Sequence, residues 1–208
     1  MNGKKYAENI SQLALANVDF DMQNRHHISY NLMMIHANTQ SVGDYNGKNS
    51  IFSDDYENLG FTRRQQTNDN MLIVNQLMSN WGLTKSLSLD AGASYNMVKG
   101  YEPDRRINNL TKAEDGYTLL RGNSQQRYFS TLDEDDLNVK AGLVYRLKDN
   151  IEEISNVRFG YTGRFVDDNF KATEYNLTVG HVYTIPSLDN FSLDDYYNQE
   201  NFASDWFK

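Results

Sequence analysis

The side chains best equipped for chemistry in this sequence are two adjacent arginines, Arg105 and Arg106, which follow Pro103 in the stretch YEPDRR. A guanidinium offers a planar fork of donors to a carboxylate or phosphate, so the pair suits capture of an anionic group. Glu102 and Asp104 stand beside them, and pairing inside the stretch is the ordinary use of such arginines. Tyr101 opens the stretch, and Tyr117 and Tyr128 follow among acids, amides and arginines. That mixture suits stacking on a polar ligand and hydrogen bonding to it; packing of loops against one another is the plainer use of the same rings. Near the end of the chain, Tyr196 and Trp206 belong to an acidic, ring-rich tail. Such rings either stack on a sugar or chelate or anchor the tail itself.

Other candidates carry less. His26 and His27 have metal-binding nitrogens, but neighbours on a strand point to opposite faces, so one ion cannot readily use both. Asp133-Glu134-Asp135-Asp136 has oxygen ligands for calcium without the spaced acids and glycine of a calcium loop, and reads as a solvated charge run. There is no nucleophile elbow, HExxH or phosphate loop. With no cysteine, thiol chemistry and disulfides are also out. The expectation is a protein that is not an enzyme and has neither a resident metal nor a cofactor. A net charge of −8, from 20 Lys+Arg against 28 Asp+Glu, argues against nucleic acid as the partner.

The elements that position these residues are read from periodicity. Ser86 to Met97, SLSLDAGASYNM, alternates without an error. Leu87, Leu89, Ala91, Ala93, Tyr95 and Met97 fall on one side, opposite Ser88, Asp90, Gly92, Ser94 and Asn96. Period two means a strand. Ordinary strands run about 5–6 residues, whereas a tilted strand crossing a bilayer needs roughly 9–11. Similar alternation predicts strands near 12–22, 26–37, 70–81, 85–98, 136–147 and 156–166, with another over 170–184. The polar stretches 38–69, 99–135 and 185–208 read as long loops. Short connections therefore alternate with long ones, as in barrels with short periplasmic turns and long extracellular loops. A mean hydropathy of −0.71 does not conflict with this, because only alternate residues of such a strand meet lipid. The predicted fold is an all-β antiparallel meander of long strands forming a single segment of a transmembrane β-barrel over 1–208.

Four stretches also carry a family resemblance: WGLTKSLSLDAGASY, YEPDRR at Tyr101–Arg106, the Asp133–Leu147 strand, and GRFVDDNFKATEYN at Gly163–Asn176. They resemble the barrel of TonB-dependent outer-membrane receptors, most closely the branch with a carboxypeptidase-regulatory-like domain before the plug. The likeness covers roughly 71–175 and departs at Asn169 and Thr173, where the family often has arginine. It implies a Gram-negative outer-membrane location, lipid around the barrel, and import of a scarce ligand such as a glycan or siderophore. It also implies a surface-exposed lipoprotein partner and energy delivered by a TonB-type protein through a plug domain. The sequence carries no match to that plug, to a TonB-contacting box or to a signal peptide, and is expected to be an interior slice of such a receptor. The alternative is a soluble all-β module that binds a ligand or carbohydrate, with the apolar faces turned into a sandwich core.

Overall fold

A computed structural model describes residues 2–22, 25–47, 59–119, 122–150, 153–181, 184–188 and 196–208. The strands are β1 (Asn2–Met22), β2 (His26–Gly47), β3 (Gly60–Gly82), β4 (Leu87–Ala113), β5 (Gly116–Leu119), β6 (Gly122–Asn150), β7 (Glu153–Val179) and β8 (Thr184–Ile185). One short helix, α1 (Gln199–Ala203), follows. All pairings are antiparallel: β1 to β4 pair in sequence order, β6 pairs with both β4 and β7, and the small strands β5 and β8 extend the upper end of β4. The result is an antiparallel meander curled into a half-barrel. Among the described residues, β1 and β7 each pair along one side only and form the two margins of the sheet.

Register follows from the alternation that the sequence displays. Leu89 lies opposite Trp81 on β3 and Leu143 on β6, and Ala93 lies opposite Leu77 and Val139. The same row continues through Tyr30 and Val18 on one side and Gly163 on the other. Because pairing preserves face, apolar positions from six strands merge into one band, and Asp90 and Asn96 belong to the opposite face. Above the band, the same face turns polar at Lys99, Asp133 and Asn169.

Burial runs against the pattern of a water-soluble sheet. Tyr95 and Leu137, opposite one another on the apolar face, are 43% and 40% exposed, whereas Asp136 on the polar face is only 8% exposed. The apolar face is thus the convex outside and the polar face the sheltered, concave inside.

The strands run well beyond the alternating stretches. The expected loops 38–69 and 99–135 are largely strand, because β2 continues to Gly47, β3 starts at Gly60, β4 continues to Ala113 and β6 starts at Gly122. The expected strand 170–184 is not a separate element: β7 extends to Val179, and only Thr184–Ile185 pairs again, as β8. Where both faces of a ladder are wet, backbone pairing persists while the side-chain alternation disappears, so the sequence shows no period there. The turn expected at Gln23, residues 48–58, Tyr183 and residues 189–195 lie outside the described residues.

The chain folds this sheet with its close connections at one end. Gly82 N–H donates to Arg25 O at 2.8 Å, and Arg146 N–H donates to Ser86 O at 2.8 Å, so the β1–β2, β3–β4 and β6–β7 ends are neighbours. At the other end a small core forms from Phe61, Leu110, Leu119, Val179, Ile185, Tyr196 and Phe207. It sits under β5, β8 and the final segment, which is tied back by reciprocal backbone bonds between Thr178 and Lys208, at 2.8 and 2.9 Å.

Candidate functional site

The residues singled out from the sequence gather at the upper end without forming one pocket. Arg105 and Arg106 part to opposite faces, as neighbours on a strand must. Arg106 Nε donates to Asp104 Oδ2 at 2.5 Å, and Arg127 grips the same carboxylate through Nε at 3.1 Å and Nη2 at 2.6 Å. Burial works against the Asp104 charge, but hydrogen bonds from Arg127 and Arg106 outweigh it and hold the carboxyl below the usual carboxylate range. Arg105 lies over the Tyr128 ring, 4.1 Å from its centroid, with Glu102 3.8 Å away. Its charge is thus placed against a π face and an acid of its own strand. A shift in register between Glu102 and Arg105 creates this arrangement by reorienting β4 against β6.

The tyrosines divide in the same way. Tyr101 is exposed on the convex face, Tyr117 on β5 packs against Phe61 at 5.9 Å, and Tyr128 lies beneath Arg105. In the tail, Tyr196 is fully buried, and its hydroxyl donates toward the carbonyls of His181 at 3.3 Å and Trp206 at 3.0 Å. Burial raises the pKa of that phenol. Trp206 stacks on His181 with ring centroids 4.7 Å apart. Both rings therefore hold the cap together, with Tyr196 at its centre.

A different cluster occupies the concave face, at the height of the apolar band. Asn17 Nδ2 donates to Asn31 Oδ1 at 2.7 Å, and Asn31 Nδ2 donates to Gln76 Oε1 at 3.3 Å, so a chain of amides crosses β1, β2 and β3 in one register row. The row continues through Ser94 and Asn138 to Arg164. Here the sheet surface sinks into a trough of about 410 Å³, lined by Gln76, Gly92, Ser94, Lys140, Thr162 and Arg164 among others. Gly92 makes room for the Lys140 side chain: a Cβ there would come within 2.9 Å of Lys140 Cε and 3.2 Å of Leu77 O. Arg164 is held from one side by Asp136, with Nε at 3.1 and 3.2 Å and Nη2 at 3.0 Å, and Glu134 lies 3.8 Å from Nη2. Asn138 Nδ2 braces the same aspartate at 3.0 Å. In the sequence each of these residues is an ordinary polar position on the wet face of its strand. Only register brings them together.

His26 packs against Trp81 on the convex face, whereas His27 turns to the concave face and meets Asp21 at 2.8 Å and Asp19 at 3.5 Å. In the run 133–136, Asp135 accepts from Tyr95 Oη at 2.7 Å and Asp136 serves Arg164, so alternate acids serve opposite faces. No group of three or more metal-binding side chains converges among the described residues. No protein-family model matches the chain, and no curated protein is similar enough to count as a relative.

Proposed function

We propose that this chain is a wall segment of a transmembrane β-barrel, and that the barrel is a TonB-dependent outer-membrane receptor that binds and imports a scarce ligand. The observation that carries the membrane reading is the inverted burial, with Leu, Val, Tyr and Phe side chains turned outward while acids and amides such as Asp90, Asn96, Asp136 and Asn138 are the more sheltered on the opposite face. Exposed apolar patches on soluble monomers rarely exceed a few hundred Å². Here, on the inner strands, where both sides of the ladder are paired, Leu77, Tyr95, Leu137, Leu143 and Tyr145 are 50%, 43%, 40%, 42% and 50% exposed. Lipid is the solvent that removes this cost.

The height of the band supports the same reading. From Leu87 to Met97 the strand advances about 34 Å at about 3.4 Å per residue. At a tilt of about 40° that is about 26 Å, close to the roughly 25 Å apolar belt of outer-membrane barrels. The polar strand extensions above Lys99 then stand outside the bilayer, and the close connections lie on the periplasmic side. The soluble-module alternative needs the apolar face turned inward, opposite to its orientation here. The narrower assignment to a receptor, with a glycan or siderophore as ligand, a TonB-type energy source and a lipoprotein partner, rests on the sequence resemblance at Tyr101–Arg106 and Gly163–Asn176.

Because the chain lacks cysteine, single cysteines can be placed from Leu87 to Tyr101 and labelled with an environment-sensitive fluorophore in lipid vesicles. Lipid-borne quenchers should act on odd positions from 87 to 97, spare even ones, and lose effect from Lys99 upward. Equal water access on both faces would return the chain to the soluble class.

A further inference from the structure

We propose that the trough around Gly92 and Lys140 on the concave face is a binding site for a small, singly charged carboxylate that also carries hydroxyl groups, of the uronic-acid class. The inference goes beyond the membrane reading and does not depend on it, since the trough lies on the face turned away from the apolar band.

Its lining is rich in donors. The amide chain runs in one direction, each Nδ2 giving to the next carbonyl, so Gln76 accepts at Oε1 and is left with its Nε2 hydrogens at the trough. Ser94 and Thr162 add hydroxyls, and Lys140 adds an ammonium with no ion-pair partner among the described residues. Arg164 is different. Asp136 and Glu134 already balance its charge, so it contributes direction and hydrogen bonds through its Nη1 edge more than net attraction. One uncompensated cation matches one negative charge, which favours a carboxylate over a doubly charged phosphate.

The spacing accounts for the hydroxyls. Donors stand on four adjacent strands, β3, β4, β6 and β7, about 4.8 Å apart across the sheet. A compact carboxylate can reach Lys140 but leaves the outlying donors unused, whereas a hydroxylated ring presents oxygens to several strands at once. The trough volume of about 410 Å³ falls in the range of about 300–1,000 Å³ usual for small-ligand sites. Gly92 leaves room for the Lys140 side chain to lie across β4 at the trough, since a Cβ there would come within 2.9 Å of Lys140 Cε.

The test is calorimetric titration of the full chain, refolded in detergent micelles and checked for sheet content by circular dichroism, with galacturonate, galactose and inorganic phosphate as probes. Galacturonate should bind at least about tenfold more tightly than galactose or phosphate, as expected for one charge-assisted contact. Lys140→Gln, on an exposed strand position, should reduce galacturonate to the level of galactose. Thr162→Val should weaken both sugars together by a severalfold factor. Equal binding of galacturonate and galactose, tighter binding of phosphate, unchanged affinity in Lys140→Gln, or no binding to a chain with an intact sheet would each overturn the proposal. None of these results bears on whether the convex face meets lipid, which the quenching experiment reads separately.

Discussion

Placing an arginine at Ala93 tests the convex face most directly. Ala93 lies six residues above Leu87 and four below Met97 on β4, and its row runs through Val18, Tyr30, Leu77, Val139 and Gly163. With about 3.4 Å per residue and a tilt of about 40°, it sits about 16 Å above the lower margin of the band, within about 3 Å of its middle. An arginine at that depth should cost about 2–4 kcal/mol. Leu89→Arg, only about 5 Å from the lower margin, should cost about 1 kcal/mol, because the long side chain snorkels to the interface. Ser94→Arg faces the interior and should cost less than Ala93→Arg despite being its neighbour. Urea titration of the lipid-inserted chain, followed by tryptophan fluorescence, gives the three values on one scale. Equal penalties at 89, 93 and 94 would mean that depth and face do not matter, and the reasoning from inverted burial would fail.

Three further outcomes concern the upper end. Tyr196→Phe keeps the packed ring but removes the donor to the His181 and Trp206 carbonyls, so it should cost about 1–2 kcal/mol and speed hydrogen exchange across 196–208. Gln125 is fully buried and exchanges bonds with Asn109, accepting from its N–H at 3.1 Å and donating to its carbonyl at 2.7 Å. Gln125→Ala removes both of these bonds and should cost about 2–3 kcal/mol, read as a lower urea midpoint with faster exchange at Asn109. The Asp104 carboxyl titrates below its unfolded value of about 3.9, so its contribution is present above that pH and is lost as pH falls through the lower folded value. The urea midpoint should drop between pH 5 and pH 3, and part of that drop should disappear in Asp104→Asn.

What the sequence made legible was set by which rows have two different environments. Leu87–Met97 and Leu137–Tyr145 each present one apolar and one wet face, so alternation marks them as strands and marks their faces correctly. Residues 99–113 and 122–135 pair just as regularly but are polar on both sides, and nothing in their side-chain order distinguishes ladder from loop. The short strands β5 and β8 are fixed by packing of Leu119 and Ile185 into the cap, a tertiary constraint without local signature. Among the site residues, the parting of Arg105 from Arg106 follows from strand geometry alone. The union of Gln76, Lys140 and Arg164 does not: period two assigns a face, while position along the partner strand depends on pairing between residues distant in sequence.

The two margins of the sheet bear on how such a chain must be made. Each long strand of this sheet docks on the long strand before it, with β6 joining β4 past the small β5, so the sheet can grow in order of synthesis. At every stage the newest strand is also a sticky one. β1 spans 21 residues and β7 spans 27, and alternate backbone groups along each point away from the only partner strand. Long margins of this kind pair with whatever strand arrives first, whether the correct neighbour or another copy. Yield of the chain on its own should therefore be limited by concentration-dependent edge joining during refolding, more than by the stability of its core.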